Sequence, residues 1–400
     1  MTEIYQPNPE MIQSSKLMAW LNPDGTFTRI AADQYAMGKN YIELGSGATS
    51  IREIFELVRA GSVDLGIVPI ENSTAGPVKD THQAFTEIDD IVILGEVVIP
   101  IKHFLYMTPG VKNEDVREIR SKDQALLQCR DHIEQSFPRA TLKEVNSTTE
   151  AVKQAAEDPT IAGIGSEIAA QAQGLEDKLV RIPDFEDNPN NVTTFVVIGK
   201  KGKEISPITG RDKTTFIVNI KNQPGSLFSL LGEFANQNIN LTKIKSLMSN
   251  DEDVSFLISI DGHENEEKIH LTLSDIETGG IKIKRLGSYE KAKYLPNQTL
   301  IKPDIDKAAR MIQEEAKNGN GHDNNKSVVV FTLLNQPSAL AKALGPFARR
   351  NINLTKIDSL PSGNFEEYVF YLSYDKKDEG KENEAIHELS LNCPQSVILN

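Results

Sequence analysis

Asn222–Leu247 reads NQPGSLFSLLGEFANQNINLTKIKSL, and Asn335–Leu360 reads NQPSALAKALGPFARRNINLTKIDSL, an ungapped match with well over half the positions identical. A duplication this close constrains the fold more than any single motif, because both copies must adopt the same unit. Each copy opens on an apolar run, Thr215–Ile220 or Ser327–Leu333, that reads as a strand. A polar turn with Pro224 or Pro337 follows, then a helix with Leu227, Leu230, Leu231 and Phe234 at three- and four-residue steps. The INL segment leads into a second strand and then a third, Val254–Ile260 or Tyr368–Leu372. The period is β-α-β-β-α-β, the ferredoxin-like split βαβ plan. Between the copies, Ile301–Lys317 reads as helical and Asn318–Lys326 as a polar linker.

Composition excludes several classes. Four hundred residues predict two or three domains. Forty-three Lys and Arg against 57 Asp and Glu give a net charge of −14, which suits neither nucleic acid nor an anionic membrane as partner. Cys129 and Cys393 are the only cysteines, so a disulfide scaffold is excluded and a cytoplasmic setting is expected. No apolar run approaches the roughly 20 residues of a membrane span, and the N-terminus does not read as a signal peptide.

Before Lys213, short apolar strands alternate with helices, the signature of an α/β fold, expected here as two lobes with a cleft between them. Leu65–Ile70 is a buried strand running into the polar turn Glu71–Val78, whose Asn72, Ser73 and Thr74 offer donors where ligands sit in open α/β sheets. Ile161–Gly165 reads as another strand, with Ser166 capping a helix over Glu167–Gln173, and Phe195–Ile198 as a returning strand. Gly45–Ser50 looks superficially like a phosphate loop, but Ser50 with Glu53 as a capping box is the simpler reading. The seven histidines lack metal-ligand spacing; His103 is expected in a strand with a satisfied ring, and Cys129 buried on a helix.

Two resemblances add to this. The loop Gln223–Leu227 and the phrase Ile239–Ile244 resemble the ACT domain, a regulatory module that binds amino acids. The resemblance implies an effector site at Gly225, Ser226, Leu227, Asn240, Leu241 and Thr242, with Ser338 replacing Gly225 in the second copy. Val68–Gly76 (VPIENSTAG), Trp20–Phe27, Ser121–Cys129 with Lys122 in place of the usual histidine, Ser147–Ala151, Asn191–Phe195 and Lys284–Tyr289 resemble segments of prephenate dehydratase.

These resemblances imply a domain plan and a chemistry. Residues 1–204 would form a two-lobed, periplasmic-binding-protein-like dehydratase domain, 205–297 a first ACT domain, 298–326 a linker and 327–400 a second ACT domain. The implied reaction converts prephenate to phenylpyruvate in phenylalanine biosynthesis, needs no cofactor or metal, and is regulated by an amino acid, L-phenylalanine. Thr193, Asn72, Ser73 and Glu71 would be catalytic, Thr193 helping the hydroxyl leave; Thr74, Gly76, Ser121, Lys122, Gln124, Thr194 and Phe195 would bind substrate. Thr194 stands where the family has an arginine for a substrate carboxylate, and Lys122 is a candidate substitute for it or a solvated lysine. Two other functions stay open: a diverged decarboxylase that does not aromatise prephenate, and a non-catalytic ACT sensor. The two ACT copies are expected to pair within the chain, a homodimer being the further option.

Overall fold

The computed structural model describes residues 16–37, 39, 42–202, 206–249, 252–292, 305, 309, 326–361, 367–393 and 395–399. In chain order the elements are β1 (Lys16–Leu21), α1 (Phe27–Ala36), β2 (Ile42–Ala48), α2 (Ile51–Ala60), β3 (Leu65–Asn72), β4 (Gly76–Pro77), α3 (Lys79–Glu87), β5 (Ile91–Pro100), β6 (Phe104–Met107), β7 (Glu118–Ser121), α4 (Asp123–Gln128), α5 (Arg130–Ser136), β8 (Thr141–Glu144), α6 (Thr148–Glu157), β9 (Ile161–Gly165), β10 (Val180–Ile182) and β11 (Val192–Lys200). The repeat region continues as β12 (Asp212–Lys221), α7 (Ser226–Asn236), β13 (Leu241–Ser249), β14 (Asp253–Asp261), α8 (Glu267–Thr278), β15 (Lys282–Glu290), β16 (Lys326–Leu334), α9 (Ala339–Arg349), β17 (Leu354–Pro361), β18 (Glu367–Asp375), α10 (Glu379–Ser390) and β19 (Ser396–Leu399).

These elements form two compact units. One contains Met1–Pro69, Lys102–Asp187 and Val197–Lys200; the other contains Ile70–Ile101, Asn188–Val196 and Lys201–Asn400. The first unit is α/β. Parallel β2, β1 and the start of β3 lie side by side, and a separate five-stranded sheet runs β10-β6-β9-β7-β8. Thr26, Ser50 and Ser147 cap α1, α2 and α6 by accepting backbone N–H bonds, as capping hydroxyls do. The box at Ser50 closes differently from expectation, since Glu53 Oε2 reaches Thr49, taking its N–H at 2.7 Å and its hydroxyl at 2.6 Å.

Two further expectations need correction. Glu167–Gln173 is not an α-helix but a run of turns ending in a 3₁₀ helix at Gln171–Gln173. The Ser166 hydroxyl donates to Gly25 O instead of capping. His103 lies in the link just before β6, not in a strand; its Nε2 meets Gln128 Oε1 at 2.7 Å while Nδ1 is buried without a partner among the described residues. Cys129 is buried at the junction of α4 and α5, and burial raises its thiol pKa.

The second unit is dominated by one eight-stranded sheet, β15-β12-β14-β13-β17-β18-β16-β19. Each repeat copy supplies one half, and β13 meets β17 antiparallel with Lys245 opposite Asp358. Side chains reinforce this seam. Ile244 N–H donates to Ser359 Oγ at 3.0 Å, and Ile357 N–H to Ser246 Oγ at 2.8 Å. One face of the sheet carries a single apolar core, with Phe216, Phe234, Phe331, Phe347, Leu231 and Leu344 drawn from both copies. Pairing of β13 with β17 removes two sheet edges that would otherwise face solvent, and the joint core buries apolar surface of both halves. Polar groups sit on other residues of the same strands, where Thr215 Oγ1 meets Ser259 Oγ at 2.8 Å and Tyr289 OH at 2.9 Å. There Gly287 lies so near β5 that a Cβ would fall 2.4 Å from Ile93 O. The inter-copy stretch Ile301–Lys326 lies outside the described residues except Ile305, Ala309 and Lys326; Ile305 and Ala309 are helical and pack on Val330 and Val369.

Candidate active site

β3 runs out of its apolar segment at Glu71 and Asn72, and a tight turn returns the chain through β4, with Asn72 opposite Gly76 and Glu71 opposite Pro77. The turn is built around the side chain of Asn72, which is 4 % exposed. Its Oδ1 accepts from Thr74 N–H (2.9 Å) and Ala75 N–H (2.7 Å), closing an Asx turn. Its Nδ2 donates to Asn191 Oδ1 (2.8 Å), Thr193 Oγ1 (2.9 Å) and Val192 O (3.2 Å). Ser73 locks the same junction through its N–H to Val192 O and by accepting Val192 N–H at 2.9 Å. Asn188 Nδ2 reaches Thr74 Oγ1 at 3.2 Å.

These bonds turn one proton away from Asn72. Thr193 Oγ1 accepts from Asn72, and no acceptor among the described residues takes the Thr193 proton. A hydroxyl has one proton and two lone pairs, so Asn72 fills an acceptor position and leaves the O–H directed elsewhere. Such an arrangement can donate a hydrogen bond to a bound ligand without rearranging first.

Glu71 is half-buried. Its Oε2 pairs with Lys243 Nζ of β13 at 2.8 Å, the side chains being 11 % and 13 % exposed, and its Oε1 is buried with no partner among the described residues. Beside this pair, His82 of α3 is buried with both ring nitrogens unpartnered among the described residues. Burial, reinforced by the charges of Lys243 and Lys245, pulls its pKa well below the usual imidazole value, so the ring is neutral. Lys245 pairs with Asp358 at 3.0 Å and Lys213 with Glu96 at 2.9 Å. Burial disfavours the Lys213 charge, yet Glu96 holds its pKa above the ordinary lysine value.

The residues expected from the sequence divide between the two units. Glu71, Asn72, Ser73, Thr74, Gly76 and Thr193 meet at one turn of the second unit. Thr194 is half-buried next along β11, and Phe195 points into the core at 2 % exposure. Ser121, Lys122 and Gln124 belong to the first unit. Ser121 is fully buried with its hydroxyl donated to Ile164 O at 2.8 Å, while Lys122 and Gln124 are exposed at the start of α4. Three residues that bond to the turn or to its side chains were not named as site residues from the sequence. Asn191 opens the phrase that contains Thr193 and Asn188 lies just before it, so both could have been found; Lys243 lies in the Ile239–Ile244 phrase, but nothing local ties it to Glu71.

Four of the six effector candidates line two small cavities at the junction of the copies, and Asn240 and Thr242 line neither. Gly225, Ser226 and Leu227 line one of about 10 Å³ together with Asn353 and Leu354 of the second copy. Leu241 lines the other, of about 30 Å³, with Asn335, Gln336 and Ser338. The two are related by the repeat: Asn353 Nδ2 donates to Asn222 Oδ1 (3.1 Å), and Asn240 Nδ2 to Asn335 Oδ1 (2.8 Å). Thr242 bonds Ser259 O within the sheet. Volumes of one or two waters mean that either cavity must open to admit an amino acid.

Fold and turn together give an α/β unit and a second unit that holds both the Asn72 turn, with its neutral hydroxyl and amide groups, and a fused pair of ferredoxin-like modules. Comparison with known proteins identifies the class. Residues 18–203 match the family model for prephenate dehydratase. The chain is 38 % identical over 277 residues to the bifunctional chorismate mutase/prephenate dehydratase of Pseudomonas aeruginosa, covering 69 % of this chain and 73 % of that one. It is 35 % identical over 282 residues to the prephenate dehydratase of Methanocaldococcus jannaschii, covering 69 % and 98 %. The structure of prephenate dehydratase from Arthrobacter aurescens in complex with L-Phe matches with a TM-score of 0.62 at 29 % identity, over 76 % of this chain and 100 % of that one. The chain belongs to the prephenate dehydratase family.

Proposed function

We propose that this chain converts prephenate to phenylpyruvate at the Glu71–Gly76 turn, in the cytoplasm, with residues 1–204 as the dehydratase domain and 205–297 and 327–400 as two ACT domains. The ring carbon–carboxylate bond breaks to release carbon dioxide, and its electron pair enters the ring. The carbon–oxygen bond opposite breaks as the ring becomes aromatic, and the oxygen leaves as water with one proton taken up overall. Thr193 donates to the departing oxygen, Asn72 holds Thr193 in the donating orientation, and Ser73, Thr74 and Gly76 shape the turn. Thr194, next to Thr193 on β11, is the proposed substrate-side residue of this turn. The observation that carries this reading is the Asn72 Nδ2 to Thr193 Oγ1 bond at 2.9 Å, which leaves the threonine proton available.

L-phenylalanine is the proposed effector, taken up at the two cavities between the ACT copies; the L-Phe complex of the Arthrobacter relative supports that choice. Pairing of ACT copies inside one chain supplies both halves of each cavity without a second subunit. Incubation with prephenate, with mass analysis of the product, tests the function. Phenylpyruvate supports it; a decarboxylated product that keeps its hydroxyl assigns the non-aromatising reaction, which the loss of arginine at Thr194 favours; unchanged prephenate leaves a sensor.

A further inference from the structure

Lys243 belongs to the repeat module by sequence, yet its ammonium ends on the turn that holds Thr193. It sits on β13, a central strand of the eight-stranded sheet, opposite Ser259 of β14. From there it reaches Glu71 Oε2 at 2.8 Å, with both side chains largely withdrawn from solvent. Glu71 has no other side-chain partner among the described residues, and its Oε1 is buried and unbonded. His82, the nearby titratable group on α3, is neutral and does not compete for the carboxylate. Lys245, two residues further along β13, is held by Asp358. Among the described residues, the lysine is therefore the single paired counter-charge for a carboxylate whose next residue is Asn72.

We propose that Lys243 is a positioning residue for the dehydratase reaction, acting through Glu71 to fix the Asn72–Ala75 turn and, through it, the Thr193 hydroxyl. The inference rests on the function proposed above and adds to it a residue from the regulatory half of the chain. Removing one partner of a buried ion pair leaves the other charge uncompensated, whereas removing both leaves none. Without Lys243, Glu71 must swing toward solvent or take up a proton, and either change disturbs the backbone step into Asn72. Leu241, two residues earlier on the same strand, lines one of the cavities between the copies, so a ligand that displaces β13 there also displaces Lys243.

The test compares Lys243→Met, Glu71→Gln and the double variant in the full chain, by steady-state kinetics on prephenate and by amide hydrogen exchange. Lys243→Met is expected to lower kcat by about tenfold or more while KM changes less than about threefold, the pattern of a misplaced donor. Exchange at Thr74 and Ala75, whose N–H groups close on Asn72 Oδ1, should quicken about tenfold relative to amides of β16. In the Glu71→Gln background the lysine substitution should have no further effect on either measure. Multiplying effects in the double variant, uniform quickening of exchange throughout the unit, or an unchanged kcat in Lys243→Met would each overturn the proposal. If the unaltered chain makes no phenylpyruvate, the functional reading fails, and the exchange measurements still decide whether Lys243 holds the turn.

Discussion

Asn72→Asp isolates the direction of the Thr193 proton, because it changes one group of nearly constant size. The two bonds accepted from Thr74 and Ala75 survive, since either carboxylate oxygen can take them. The three donated bonds are lost. Two of their acceptors keep other donors: Asn191 Oδ1 retains Ser73 Oγ at 3.3 Å, and Val192 O retains Ser73 N–H at 2.8 Å. The Thr193 contact can be remade in the opposite sense, so the net structural cost is burial of a carboxylate and its repulsion from the Asn191 and Val192 oxygens, eased by the bonds it accepts, on the order of 3 kcal/mol of stability. The functional loss is larger. With a carboxylate in place of the amide donor at 2.9 Å, the Thr193 hydroxyl reverses and donates to it, so its proton no longer points at substrate. Loss of a positioned donor costs about 10²–10⁴ in rate. Steady-state phenylpyruvate formation should show kcat down by at least about a hundredfold, while urea unfolding shows a shift of no more than about 3 kcal/mol. A folded Asn72→Asp enzyme with kcat within about threefold of the unaltered chain would refute the reasoning.

Three other perturbations have expected outcomes. Gly225 and Ser338 occupy equivalent caps with φ of +84° and +68°, so Ser338→Gly should stabilise the chain and Gly225→Ala destabilise it, each by about 1 kcal/mol in urea unfolding. His82 and His103 are both held neutral by burial, which lowers their pKa values, so the unfolded chain binds more protons below pH of about 6.5. Stability that is complete above that value should be lost as pH falls, by up to about 1.4 kcal/mol per pH unit for each histidine, and His82→Gln should flatten the urea-midpoint profile. Thr194→Arg restores the cation of the family pattern and should lower KM for prephenate by about tenfold to a hundredfold, with unchanged KM counting against a carboxylate at that position.

The duplication makes the two modules legible in the sequence, and their strands fall within two or three residues of the apolar runs. What the repeat does not reveal is the exchange of partners across the seam. Asn240 bonds Asn335, and Asn353 bonds Asn222, so the residues grouped as one effector site serve two cavities. A motif names residues that act together without stating which copy they face. The turn at Asn72 is legible for a different reason, since Asn after a buried strand has strong local geometry. Glu167–Gln173 misleads because Ser166 resembles a helix cap, whereas its hydroxyl is drawn to Gly25 O. Lys243 is invisible for lack of any local signal; an ion pair spanning 172 positions exists only in the folded chain.

The cations of the second unit explain why Thr194 is the informative position. Prephenate carries two carboxylates, and recognition of a dianion ordinarily uses Arg or Lys. Near the turn, Lys243 is engaged by Glu71 and Lys245 by Asp358, while Lys213 on the same sheet is engaged by Glu96. Each sits with its acid in a setting where separating the pair leaves an uncompensated charge. Diverting Lys243 to substrate would therefore dismantle the support of the turn while supplying an anchor. What stands next to Thr193 on β11 is a neutral hydroxyl at Thr194, good for a hydrogen bond but not for charge compensation. These three lysines thus hold their acids and none of the three is left over for a ligand, which is why an arginine introduced at Thr194 should act on substrate affinity before it acts on the chemical step.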